Sequence, residues 1–226
     1  DLNNLQYISM ITEYSDICGI TDEELKLNFE PEIKTLGERK KKNFAETLLE
    51  LKKKYDGYVF AKEGVSVYNP FSVLSAFSAK DLGNYWFSTG TPTFLVNYLK
   101  DAYYNIPDLD GNVELNEAGI ELYRADAKNP LPILFQSGYL TIKEYIEEVN
   151  MYRLGFPNDE VRYGFLENLV PAYSSLRPDE TGVSIWKFVE DIRAGNVDEF
   201  MERMQAIIAG VPYDNLPKDK LKLREQ

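Results

Sequence analysis

The sequence predicts a mainly α fold with small β hairpins, an α+β chain with no central parallel sheet. Three observations predict it. At least five windows carry apolar residues at a 3.6-residue period behind a recognisable cap. Only two pairs of short runs look like strands, Gly57–Phe60 with Val65–Tyr68 and Tyr139–Lys143 with Met151–Phe156. A hydrophobic content of 44% over 226 residues suffices for one good core or two small modules.

Residues 1–20 show no clear period. Thr21 with Glu24 forms a capping box that opens a helix carrying Leu25, Leu27 and Phe29, interrupted or restarted at Pro31. Asn43 with Glu46 forms a second box, and Phe44, Leu48, Leu51 and Tyr55 make an apolar stripe that stops at Gly57. A short hairpin with the loop Ala61–Gly64 follows, and Asn69-Pro70 then caps a helix bearing Phe71, Leu74 and Phe77.

The densest aromatic stretch is next. Tyr85, Trp86 and Phe87 read as a buried strand or turn, and Thr91-Pro92 as the cap of a helix presenting Phe94, Leu95, Tyr98, Leu99 and Ala102. Trp86, Phe87, Phe94 and Leu95 are expected to be mostly buried. Between them, Ser88, Thr89, Gly90 and Thr91 admit two readings. They form either a polar loop that holds an anion on backbone N–H groups or a capped turn, and the capped turn is the simpler.

Residues 103–128 read as a polar, acidic connector at a module boundary. Asp108, Asp110 and Asn112 have calcium-loop spacing, but Val113 stands where that loop needs glycine. Pro107-Asp108 with Asp126-Ala127-Lys128 imitates a PD-(D/E)XK nuclease spacing without the buried strand that chemistry needs. No metal site is assigned. Asn129-Pro130 starts a short helix that Gly138 ends, the second strand pair makes a wing, and Asn158 caps a helix with Val161, Phe165, Leu166, Leu169 and Val170. Helix, hairpin, helix is winged-helix-like. Its turn Glu144–Asn150 is acidic where a DNA-reading wing needs Lys and Arg, so a structural or regulatory wing is expected. Two C-terminal helices complete the reading, with Ile185, Phe188, Val189 and Ile192 facing Phe200, Met204, Ile207, Ile208 and Val211 across Gly195. The charged tail 217–226 is expected to be mobile or to lead into something further.

Composition removes much chemistry. The chain has no histidine and one cysteine, Cys18, which excludes His-dependent acid–base catalysis, the usual zinc sites and an internal disulfide framework. The net charge of −12 disfavours nucleic-acid binding by this chain alone. No signal peptide or apolar run of membrane length is present, so a cytoplasmic protein is expected.

Six separated motifs occur in order: Ile17–Leu25 (ICGITDEEL), Tyr55–Tyr58 (YDGY), Val67–Ser72 (VYNPFS), Asn84–Thr93 (NYWFSTGTPT), Gln136–Ile142 (QSGYLTI) and Leu154–Asn158 (LGFPN). Through them the chain resembles the bacterial AAA-ATPase-like proteins. The resemblance implies a preceding P-loop domain and a following PD-(D/E)XK nuclease-like domain, both outside this chain, since no G-x-x-x-x-G-K-S/T occurs in it. It further implies that residues 1–102 are a helical lid region with a short hairpin, 103–128 a connector, 129–171 a winged-helix-like module and 172–226 a C-terminal helical segment with a charged tail. Tyr55, Asp56, Gly57, Tyr58, Asn69, Trp86, Gly138, Tyr139 and Asn158 are the motif residues expected to matter. No catalytic residue and no cofactor are assigned to this chain, and Mg-ATP is implied for the full-length protein. Val59 departs from the histidine usual after the Tyr-Asp-Gly-Tyr run, so that motif receives no catalytic role.

The leading expectation is therefore a lid and winged-helix part that couples nucleotide state to a partner domain. The alternative is a self-contained protein-interaction module using exposed aromatics such as Trp86 and Tyr58. A hydrolase built on paired carboxylates finds no spacing that singles out a pair among 37 acidic residues.

Overall fold

Thr21 and Asn43 both close full capping boxes, each side chain accepting from the N–H three residues on while Glu24 and Glu46 reach back. They open α1 (Asp22–Asn28) and α3 (Phe44–Tyr55). Between them α2 (Glu30–Lys40) restarts with Pro31 in its first turn, where its missing N–H costs nothing, and stops at Lys41 in the left-handed region. The Asn69 side chain accepts from the Ser72 N–H and opens α4 (Pro70–Ala79). In a computed structural model, residues 8–88, 93–101, 104–121, 129–173 and 178–209 are described.

By its contacts the chain divides into two compact units, Asp1–Gly90 with Asn105–Tyr163, and Thr91–Tyr104 with Gly164–Gln226. The first holds a helical core in which Leu25, Ile33, Leu36, Leu51, Tyr55, Tyr68, Val73 and Ala76 are buried. Phe44 and Leu48 pack beside it, as their stripe requires. On α4 the expected face is rotated. Phe71 and Leu74 are half exposed, while Ser72, Val73 and Ala76 are buried, because the small side chains of that face allow close packing on the helical core and Ser72 reaches the buried Glu160.

The expected first hairpin shrinks to one antiparallel bridge, Tyr58 with Val67, and Tyr68 pairs with Ile20 instead. Tyr85–Phe87 is not a strand; Tyr85–Ser88 forms a single-turn helix, α5. Part of the expected connector forms regular elements, β1 (Val113–Leu115) and α7 (Glu117–Glu121), after which come α8 (Leu131–Gln136), β2 (Thr141–Ile146) and β3 (Met151–Gly155). The expected second strand pair is thus joined by β1 in a three-stranded antiparallel sheet of order β1-β3-β2. Val113 opposes Leu154, and Arg153 in the middle strand pairs with both Glu114 and Glu144. Asp110 is paired with Arg162 at 2.7 Å, and Val113 is buried in β1, so the calcium-like spacing serves as the entry to a strand. Residues 126–128 lie outside the described residues.

The α9 helix (Asp159–Tyr173) begins in the first unit under the Asn158 cap, whose side chain accepts from the Val161 N–H at 3.1 Å. In the second unit, α6 (Thr93–Asp101) buries Leu95, Val96 and Leu99. The C-terminal pair is α10 (Pro178–Ala194) and α11 (Val197–Ala209), joined through Gly195 at φ 73°. Phe188 meets Phe200 edge-on at 5.3 Å, and Arg203 binds the buried Asp191 at 2.6 Å. Elsewhere on the expected face Val189, Met204 and Ile207 are half-buried. Ile185, Ile192 and Ile208 are exposed, because two helices alone shield only the line along which they touch. Val211 and the tail lie outside the described residues. Among the described residues no helix is long and apolar enough to cross a membrane.

Candidate functional site

Five of the six motifs supply groups to one buried cluster in the first unit, and the sixth braces it. The brace is Ile17–Leu25: Ile20 pairs with Tyr68, Leu25 enters the core, and Tyr68 donates its hydroxyl to Asp22 Oδ1 at 3.0 Å. The Lys26 ammonium, and then the Tyr68 hydroxyl, hold the Asp22 carboxyl below its usual range.

At the end of α3 the chain turns through Asp56 and Gly57. Asp56 is buried and accepts from the Ser66 hydroxyl at 2.7 Å, while Ser66 Oγ accepts from the Gly57 N–H at 3.1 Å. Gly57 has φ 106° and lies against the Pro157 carbonyl, which would stand 2.0 Å from an added Cβ. This glycine is required twice over, by backbone conformation and by the approach of the LGFPN segment. The turn delivers Val59 to the start of β2, where the Thr141 hydroxyl accepts from the Val59 N–H at 2.7 Å and donates to its carbonyl at 2.9 Å.

Tyr58 points inward and is 6% exposed. Burial pushes its hydroxyl well above the ordinary tyrosine range. The Asn69 and Asn158 side chains face that hydroxyl, yet neither closes a hydrogen bond of normal geometry, and both Tyr58 Oη and Asn158 Nδ2 are unpartnered among the described residues. A surface aromatic kept for a protein partner is therefore not what Tyr58 is. Gly138, at φ 81°, brings the chain past Tyr58 and Trp86, and the following Tyr139 stacks edge-on to Trp86 at 4.9 Å. Burial raises the Tyr139 hydroxyl to about 12.

The aromatic stretch is fastened at successive positions. Tyr55 donates its hydroxyl to the Gly83 carbonyl at 2.9 Å, and Lys54 donates to Asn84 Oδ1 at 2.9 Å. The Trp86 N–H donates to Glu160 Oε1 at 3.0 Å, and the Tyr85 N–H also bonds that carboxyl. Ser72 donates its hydroxyl to Glu160 Oε2 at 2.6 Å. Glu160 is completely buried, and desolvation outweighs these donors and the nearby Lys54 charge, so its carboxyl titrates above the usual glutamate range.

Sequence reasoning missed Ser72 as a side-chain contributor and Glu160 altogether. An acidic residue in the first turn of a helix normally answers the helix dipole from solvent, and nothing local marks Glu160 as buried. Of the expected anion loop, Ser88 closes α5, while Thr89, Gly90 and Thr91 lie outside the described residues. Trp86 is half-buried rather than sealed in the core, and Leu95 is buried as expected. Nothing is described of the Phe87 and Phe94 side chains. Trp86→Ala is expected to cost about 2 to 3 kcal/mol, below the value for a fully buried tryptophan, through loss of the Tyr139 contact and the cavity left behind. Urea melts of mutant and parent measure it, and an unshifted midpoint would mean the indole contributes nothing to the fold.

Beside the cluster, Cys18 and Phe60 separate two surface depressions. One of about 150 Å³ is lined by Tyr58, Tyr68 and Asn69, and one of about 360 Å³ by Ile8, Tyr14, Ile17 and Phe135. Among the described residues no group of three or more Cys, Asp or Glu side chains could hold a metal ion.

No family model matches the chain, and no solved structure matches it. A protein of Azotobacter chroococcum mcd 1, described as "Uncharacterized protein in vnfD 5'region", is 31% identical over 215 residues. The alignment takes in 94% of this chain and 39% of that protein, so the chain spans about two-fifths of the length of the curated relative to which it is similar.

Proposed function

We propose that this chain is the lid and winged-helix part of an AAA-like ATPase, relaying nucleotide state to a partner domain without a complete active site of its own. The observation that carries it is the convergence of the motif residues. Tyr55, Tyr58, Asn69, Trp86, Gly138, Tyr139 and Asn158, spread over the sequence, meet around the stretch Gly83–Trp86. A relay needs such a stretch, bonded from several elements, so that a shift in one reaches the others. Similarity to a much longer protein accords with a part that works within a larger chain. The preceding P-loop domain would supply the phosphate cradle, its lysine and the Mg²⁺ hydroxyl, and the following nuclease-like domain would receive the signal. The wing would act in regulation rather than DNA reading, since its turn carries Glu147 and Glu148.

Calorimetric titration of Mg-ATP tests this reading. No heat of binding is expected with this chain, whose charge of −12 offers a nucleotide tetra-anion no compensation. Binding is expected once a preceding P-loop segment is restored. Micromolar binding to this chain alone, or none to the longer one, would overturn the assignment.

A further inference from the structure

We propose that Glu160 is a buried clamp on α5, fixing two of the segments by which the chain leaves its first unit, and that ionisation of its carboxyl loosens that clamp. The inference deepens the proposed function, resting on Gly83–Trp86 as the relay stretch and naming what regulates it.

The geometry is that of a junction. Glu160 accepts from the Trp86 N–H on one oxygen and from Ser72 on α4 on the other, its carboxyl also takes the Tyr85 N–H, and the residue itself stands in the first turn of α9. Just beyond α5 the chain passes to the second unit after Gly90, and along α9 it passes again after Tyr163. One carboxyl thus ties the roots of both segments within the first unit.

The elements packed on the carboxyl present neutral groups, apart from one ammonium that is engaged elsewhere. From α3 come Lys54, whose ammonium is bonded to Asn84, and the Tyr55 hydroxyl, bonded to Gly83. From the following turn comes Tyr58, from α4 Ser72 and from α5 Tyr85. The neighbouring Asp159 on α9 is paired with Lys53 at 3.3 Å. No cation forms an ion pair with Glu160 among the described residues, so its charge is met by dipoles and, without contact, by the Lys54 ammonium. The sign follows. A carboxyl raised by burial favours the closed, buried state while protonated, because Glu160 can then donate to Ser72 and still accept from Trp86. As pH rises through its folded-state value that preference is lost, and opening, which hydrates the charge, becomes easier.

Hydrogen exchange read by mass spectrometry on the whole chain tests the clamp, with rates corrected for intrinsic exchange. Between about pH 5.5 and about pH 8 the wild-type protection of residues 83–88 should fall several-fold, while that of α3 residues 45–52 should not. Glu160→Gln keeps an oxygen for Trp86 and an amide donor for Ser72 but cannot ionise, so its protection should stay level. Glu160→Ala should lose about tenfold or more in 83–88 at both pH values, having left backbone donors unpaired. A Gln variant with the wild-type pH dependence would overturn the proposal, and because that variant preserves the contacts, the test stands even if the Ala variant does not fold. The outcome is independent of the ATP titration, since it reads α5 in the absence of nucleotide.

Discussion

Gly57→Ala is expected to be among the most damaging single substitutions, costing about 3 to 4 kcal/mol. Two penalties coincide. At φ 106° an L side chain is strained, and the new Cβ would lie 2.0 Å from the Pro157 carbonyl oxygen, which belongs to backbone and cannot rotate away. Relief requires the LGFPN segment to retreat from the end of α3, carrying Asn158 away from Tyr58. Gly111→Ala is the matched control. Gly111 also has positive φ, at 92°, but has nothing within 4 Å of an added Cβ, so its alanine should cost only about 1 kcal/mol of backbone strain. Urea melts of both variants separate the two penalties, and equal midpoints would show that Pro157 does not press on Gly57.

Tyr55→Ala should cost about 3 to 5 kcal/mol, the range for removing a large buried ring. Tyr55 is wholly buried among Leu25, Ile33, Leu51 and Val73, and its hydroxyl reaches the Gly83 carbonyl at 2.9 Å. Tyr55→Phe isolates that bond, and the Gly83 carbonyl left behind should cost about 1 to 1.5 kcal/mol. The phenylalanine variant should also release Gly83–Trp86 locally, seen as faster amide exchange there with α3 unchanged. If Tyr55→Phe melts with the parent and exchanges at the parent rate, Tyr55 serves packing alone and α5 is held from the Glu160 side.

The sequence was most legible wherever one residue acts on its near neighbours. The boxes at Thr21 and Asn43, the caps at Asn69 and Asn158, and the positive φ at Gly138 and Gly195 all follow from local hydrogen bonding and sterics. So does the mainly helical character, because the 3.6-residue stripes are long and well bounded. Errors began where the deciding partner is distant. Tyr85–Phe87 reads as strand or turn by aromatic content, and the choice falls to a helical turn because the first N–H groups are taken by Glu160, 74 residues along from Trp86. Val113–Leu115 reads as connector because three residues carry little periodicity, and only β3 alongside makes them a strand.

By itself, then, the sequence determined the mainly helical character, the caps at Thr21, Asn43, Asn69 and Asn158, and the absence of histidine and of a second cysteine from this chain. Tertiary structure alone decided that Tyr58 is internal rather than a docking aromatic, that α4 turns Val73 and Ala76 inward in place of Phe71 and Leu74, and that Glu160 is sealed beneath α5. The physical reason is range. Caps and turns are settled by hydrogen bonds within about four residues, whereas the burial of a carboxyl or a hydroxyl depends on which distant donors close over it once the chain has packed.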